Sequence, residues 1–231
     1  MRKMLKSIMI ISVGVSLLLS CFTSPETSST DSLILNDQDT IPINQIIDFN
    51  DSLWTEIIFK NDDVYESLAY ADSSNFIGQK IYPCARCFLR PEAAKALFVA
   101  KRIAKTKGLR LILFDCYRPA IYQQKMFDIV QDPRYVAEPK EGGSMHNKGL
   151  AVDIALTDSS GNILDFGGDF DDFSERSHHS YDRLDSLANY NRILLKSIMT
   201  EAGFSFYPFE WWHYSYTNVD YDQDEYVWGC N

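Results

Sequence analysis

The stretch GSMHNKGLAVDIAL, Gly143 to Leu156, decides how the rest of the chain is read. It holds His146, one of four histidines in 231 residues, then Gly149, then the apolar run LAVDIAL, in which Asp153 follows His146 by seven residues. LAVDIAL reads as a strand, and its period of two puts Asp153 on the face of Ala151 and Ala155. A strand needs neither His146 nor Asp153. Gly149 lets the backbone between them bend so that both side chains reach one point.

Working outward, the pattern is α+β. WTEIIF, residues 54–59, has the β-branched and aromatic content of a strand. RPEAAKALFVAKRIAKTKG has Pro91 at a helix start, apolar residues at helical spacing and Gly108 as a stop. LRLILF is a buried strand that runs into DCYRP, and a helix follows from Pro119 to Val130. After LAVDIAL comes a Gly/Asp-rich loop to about Ser180. A second long helix then reads Leu184, Leu187, Leu194, Leu195 and Ile198 as its apolar side, with Gly203 closing it. FSFY and EWWHYSY are the last strands.

The N-terminus stands apart from this core. Residues 1–20 carry Arg2, Lys3 and Lys6 ahead of a short apolar run, the pattern of an export signal. Leu18-Leu19-Ser20-Cys21 is similar to a bacterial lipobox, which makes Cys21 the expected lipid-bearing residue. A Ser/Thr-rich tether through residue 40 and a single domain over 41–231 complete the expected organisation. The expected location is the periplasmic face of a bacterial membrane, the outer one by virtue of Phe22 after the cysteine. Without its signal the chain has 19 basic against 32 acidic residues, a formal charge of −13, so nucleic acid is excluded as a partner. Setting Cys21 aside leaves Cys84, Cys87, Cys116 and Cys230, an even set suited to an oxidising compartment. Three pairings are open, and the two cysteines of CARC are expected to bridge outward rather than to each other.

The four histidines return the reading to Gly143–Leu156. Catalytic zinc takes three His or carboxylate ligands and leaves the fourth position open. His146 and Asp153 supply two, and the third comes from His178, His179 or His213. His213 is the best placed, because EWWHY sets Glu210 three residues before it as a base for the attacking water. Each residue alone has a plainer reading. A lone histidine is more often a hydrogen-bonded core residue, Asp153 can cap or pair, and Trp211 and Trp212 can simply pack.

In combination, SMHNKGLAVD and EWWHY resemble the two metal-binding segments of the zinc D-alanyl-D-alanine dipeptidases, a family related to D,D-carboxypeptidases and Hedgehog-like zinc domains. DCYRP resembles the family's arginine segment, and NFIG near Tyr70 and FDDFSERSHH resemble two further segments, so the likeness spans about residues 65–216. It implies a Hedgehog/D,D-peptidase-like fold, a mainly antiparallel sheet flanked by helices. It implies one zinc held by His146, Asp153 and His213, with Glu210 as general base and Arg118 facing the substrate carbonyl. Ser144, Asp171 and Tyr70 are implied near the substrate's ends, whereas His178 and His179 are given a supporting role rather than ligation. The activity implied is hydrolysis of D-Ala-D-Ala or related muropeptide fragments. A carboxypeptidase trimming peptidoglycan stems and a non-catalytic zinc-binding module are the alternatives, and retention of Glu210 with Arg118 argues against the module.

Overall fold

Ala151–Thr157, which takes in all of LAVDIAL but Leu150, is a strand buried along its whole length, and it forms the middle of the main sheet. The protein, described here by a computed structural model over residues 53–58 and 64–230, orders its elements as follows. The strands are β1 (Thr55–Ile57), β2 (Val64–Glu66), β3 (Cys87–Leu89), β4 (Arg110–Asp115), β5 (Ala151–Thr157), β6 (Ser205–Phe206) and β7 (His213–Ser215). The helices are α1 (Pro91–Thr106), α2 (Ala120–Ile129) and α3 (Ser186–Glu201). The export signal, Cys21, the tether and residues 41–52 of the expected domain lie outside the described residues. Among the described residues no helix is long and apolar enough to cross a membrane.

The five-stranded sheet runs β2-β4-β5-β7-β6, antiparallel except for the β2–β4 pair, and β1 pairs with β3 separately. This is the expected mainly antiparallel α+β architecture. β4 and β5 are apolar because both their faces are covered, as buried central strands require. α1 begins at Pro91, which needs no amide partner in the first turn, and buries Ala93, Ala94, Leu97, Ala100 and Ala104. It packs against α3 and β4.

Three expectations are corrected in detail. Among the described residues of WTEIIF, the strand covers Thr55–Ile57. In EWWHYSY the strand starts at His213, and Glu210, Trp211 and Trp212 form the turn before it. On α3 the buried side is Ala188, Asn191, Arg192, Leu195, Ile198 and Met199, whereas Leu187 is 59% exposed. The N-cap fixes this phase: Asp185 Oδ1 accepts from the amides of Leu187 and Ala188, which starts the helix with Leu187 on the solvent side.

Both cysteines of CARC bridge outward, Cys84 to Cys230 and Cys87 to Cys116. The first ties the C-terminal segment to the core, where Trp228 is buried. On the way this segment crosses the turn carrying His146, with the Asp224 amide donating to Asn147 O at 2.8 Å and the Ala120 amide to Asp224 O at 3.0 Å.

Gly149 ends that turn at φ +70°, where a Cβ would lie 2.4 Å from Cζ3 of Trp54. Left-handed strain alone for a non-glycine residue is worth about 1–3 kcal/mol. Gly149→Ala is therefore expected to lower unfolding free energy in urea by at least this amount; an unchanged midpoint would show that Trp54 and the turn relax freely.

Candidate active site

The sheet register assembles the site. β5 lies between β4 and β7, with Asp153 opposite Asp115 on one side and opposite His213 on the other. An irregularity between Leu113 and Asp115 brings Asp115 into this row. Directly opposite residues have Cβ atoms about 5 Å apart, so three strands place three polar side chains within mutual reach.

His146 reaches the row from a 3-10 turn, Met145–Lys148, that immediately precedes β5. Ser144 caps this turn: its Oγ accepts from the His146 amide at 3.2 Å, while Asn147 Oδ1 accepts from the Ser144 amide at 2.7 Å. Asn147 Nδ2 donates to Arg118 O at 2.7 Å, and the Arg118 amide donates to His146 O at 3.0 Å. The arginine segment and the first histidine segment are thus locked together.

His146 Nδ1 donates to the Cys116 carbonyl at 2.6 Å, which turns the unprotonated Nε2 toward Asp153 and His213. His146 Nε2, Asp153 Oδ1 and His213 Nδ1 then stand 3.1–3.2 Å from one another. His213 Nε2 and Ser215 Oγ share a hydrogen bond at 3.0 Å, in which either can be the donor. With neutral imidazoles at most one proton, on His213 Nδ1, serves three mutual contacts, because the single N–H of His146 is engaged by Cys116. One cation at their centre satisfies all three lone pairs, and two imidazoles with one carboxylate suit zinc. Burial lowers the pKa of His213, favouring the neutral form that a ligand needs. Burial opposes the charge on Asp153, but His146 and His213 outweigh it and hold its carboxyl below the usual range.

Glu210 is 5% exposed, with Oε2 3.7 Å from His213 Nδ1. Burial raises its pKa well above the ordinary value, and Asp153 and Asp171 add to the effect. Arg118 is gripped on two sides: Nε and Nη2 donate to Asp115 Oδ2 at 3.0 and 2.6 Å, and Nη1 donates to Gln123 Oε1 at 2.8 Å. Its guanidinium lies 5.1 Å from the centre of the Tyr70 ring. Tyr70 in turn donates to Asp171, 3.1 and 3.3 Å from its two oxygens. Burial raises Asp171 to about 8, with Asp153 contributing.

All eight site residues singled out within the described segments, His146, Asp153, His213, Glu210, Arg118, Ser144, Asp171 and Tyr70, line one cavity of about 190 Å³. His178 and His179 stand outside the ligand group. His178 Nε2 bonds Tyr135 OH at 3.1 Å, and burial lowers His179 to about 4. Sequence reasoning missed Asp115, Tyr82 and Gln123. Asp115 is fully buried and takes Tyr82 OH at 2.8 Å besides Arg118, and its only signal was its place in DCYRP.

A family model, Peptidase_M15, described as D-ala-D-ala dipeptidase, matches residues 57–227. The chain belongs to this peptidase family. A D-alanyl-D-alanine dipeptidase of Escherichia coli is 41% identical over 152 residues, 66% of this chain and 78% of the relative. One from Enterococcus faecium is 32% identical over 169 residues, 63% of this chain and 82% of the relative. Among solved structures, the LD-carboxypeptidase LdcB is 24% identical at a TM-score of 0.39, covering 56% of this chain and 59% of that one. VanYB in complex with D-alanine-D-alanine is 20% identical at a TM-score of 0.38, covering 56% and 72%. In this M15 peptidase the matched span contains every site residue just described.

The raised pKa of Asp171 has a sign that can be tested in metal-free protein. Unfolded, the carboxyl titrates near 3.9; folded, near 8. Its contribution to stability is complete below the unfolded value and is lost as pH rises through the folded one. Asp171→Asn escapes this loss, and asparagine tolerates the φ of +62° found here. The urea midpoint of Asp171→Asn relative to the parent is expected to climb between about pH 5 and about pH 8.5. A gap that is constant or shrinks over that range contradicts the assignment.

Proposed function

We propose that this peptidase uses one zinc ion, held by His146, Asp153 and His213, to hydrolyse D-Ala-D-Ala or a closely related cell-wall dipeptide. One observation carries the reading: three atoms able to ligate a metal converge within about 3.2 Å of one another, and Glu210 and Arg118 face the same cavity. Zinc, when bound, polarises the scissile carbonyl and acidifies water, which remedies a poor electrophile and a poor nucleophile together. The 41% identical relative named for this activity supports the substrate class.

The chain's own groups divide the remaining work. Glu210 takes the proton of the attacking water on a carboxylate oxygen and returns it to the leaving amine; burial raises its proton affinity, which favours its accepting that proton. Arg118 keeps N–H groups beyond those given to Asp115 and Gln123, and these stabilise the negative charge that develops on the carbonyl oxygen. One such donor is worth on the order of 3 kcal/mol in other enzymes. Asp171, backed by Tyr70, is the counter-charge for the substrate's ammonium group, whose arrival favours the ionised carboxylate. Ser144 stands on the wall beside His146 to meet the other end of the dipeptide. A cavity of about 190 Å³ is small beside the roughly 300–1,000 Å³ of drug-sized sites, as a dipeptide pocket should be.

Steady-state hydrolysis of free and N-acetylated D-Ala-D-Ala by zinc-loaded enzyme tests the reading. The free dipeptide is expected to be cleaved and the acetylated one poorly, since a site built for a buried ammonium rejects its absence strongly. Glu210→Gln is expected to keep its zinc and lose roughly 10²–10⁴-fold in turnover. Equal cleavage of both substrates would replace the dipeptidase with a carboxypeptidase, and parental turnover in Glu210→Gln would remove Glu210 from the base role.

A further inference from the structure

The buried side of α3 contains two polar residues, Asn191 and Arg192, each only 4% exposed. Arg192 Nε donates to Phe166 O at 2.7 Å and its Nη1 to His178 O at 3.2 Å. Asn191 Nδ2 donates to Asp165 O at 2.8 Å. These carbonyls are the two ends of segment 165–178, so one planar guanidinium spans the base of the loop. A guanidinium suits this task, because its rigid fork fixes the spacing of the groups it bonds.

That loop presents Asp171 to the cavity. Phe170 anchors its tip, stacking on Phe114 at 4.7 Å and meeting Trp212 edge-on at 5.4 Å. Asp171 is the one non-glycine residue at positive φ among the described residues. Such a backbone stores about 1–3 kcal/mol and persists only where its surroundings over-determine it. The loop's internal bonds, Arg176 Nε to Gly167 O and Ser177 Oγ to Asp172 O, do not connect it to α3.

Arg192 is also poorly suited to a purely stabilising role. Its Nη2 has no hydrogen-bond partner among the described residues. Burial and the nearby Arg176 lower its pKa to about 10. Buried charge that is only partly satisfied is weak support for a fold.

We propose that Arg192 is a positioning residue for substrate recognition: by holding the Phe166 and His178 carbonyls at a fixed spacing, it sets the loop that aims Asp171 at the substrate's ammonium group. This rests on Asp171 being the ammonium's counter-charge. Arg192→Lys keeps the charge but presents a single point donor that cannot span both carbonyls.

The test is a double-mutant cycle on zinc-loaded enzyme with free D-Ala-D-Ala, comparing the parent, Arg192→Lys, Asp171→Ala and the double variant. Asp171→Ala is expected to raise KM. Arg192→Lys is expected to raise KM by roughly 10- to 100-fold, the range for misplacing a binding group by about an ångström, with kcat and zinc content close to parental. In the Asp171→Ala background Arg192→Lys is expected to add nothing, because the group it positions is gone. Asn191→Ala, which frees the same loop at Asp165, is a milder second variant with a smaller KM effect that also vanishes in that background. A parental KM in Arg192→Lys, with Asp171→Ala impaired, overturns the inference and leaves the reading of Asp171 intact. The same factor in both backgrounds overturns it too, by showing a general scaffold role. A parental KM in Asp171→Ala overturns the reading of Asp171 and the inference with it.

Discussion

The Cys116 carbonyl accepts a hydrogen bond from His146 Nδ1 at 2.6 Å, and the character of the whole site follows from that bond. It commits Nε2 of the ring to being a lone pair and aims it at Asp153 and His213. Cys116 itself is held by the bridge to Cys87, which fastens the end of β4 to β3. Asp115 and Arg118, on either side of it in sequence, are held by each other and by Tyr82 and Gln123. The disulfide-bridged core and the orientation of the proposed metal ligand His146 are therefore one mechanical unit. Such outer bonds set ligand orientation and basicity as much as the ligands do.

The site gathers four carboxylates, Asp115, Asp153, Asp171 and Glu210, three of them almost fully buried. Each is handled differently. Asp115 is neutralised by Arg118, and Asp153 is turned toward the two histidines. Burial and their acidic neighbours push Asp171 and Glu210 upward. Groups of the same type held at different proton affinities can divide acid and base duties, and the folded chain bears their desolvation in exchange. A cation held by His146, Asp153 and His213, as proposed, would relieve part of this repulsion.

Much of this was legible in the sequence, for physical reasons that differ by residue. LAVDIAL and LRLILF are strands by composition alone, and Pro91 and Gly108 mark the ends of α1. His146, Asp153, Glu210 and His213 were legible as a set, because their residue types and spacing fit one chemistry and resemble one family. What stayed hidden depends on tertiary register. Asp115 joins the row only because β4 is irregular between Leu113 and Asp115. Arg192 replaces Leu187 on the buried side of α3 because the Asp185 cap sets the helix phase, and Leu187 is the more plausible core residue by hydrophobicity. The disulfide partners depend on which loops meet in space, and no spacing rule contains that information.

Zinc-edge X-ray absorption on the loaded, substrate-free enzyme tests the ligand geometry most directly. The account predicts a first shell of nitrogen and oxygen only, at about 2.0–2.1 Å, with the scattering of two imidazoles and one exchangeable oxygen position. A sulfur neighbour near about 2.3 Å, a third imidazole, or a shell closed by four protein ligands would contradict it.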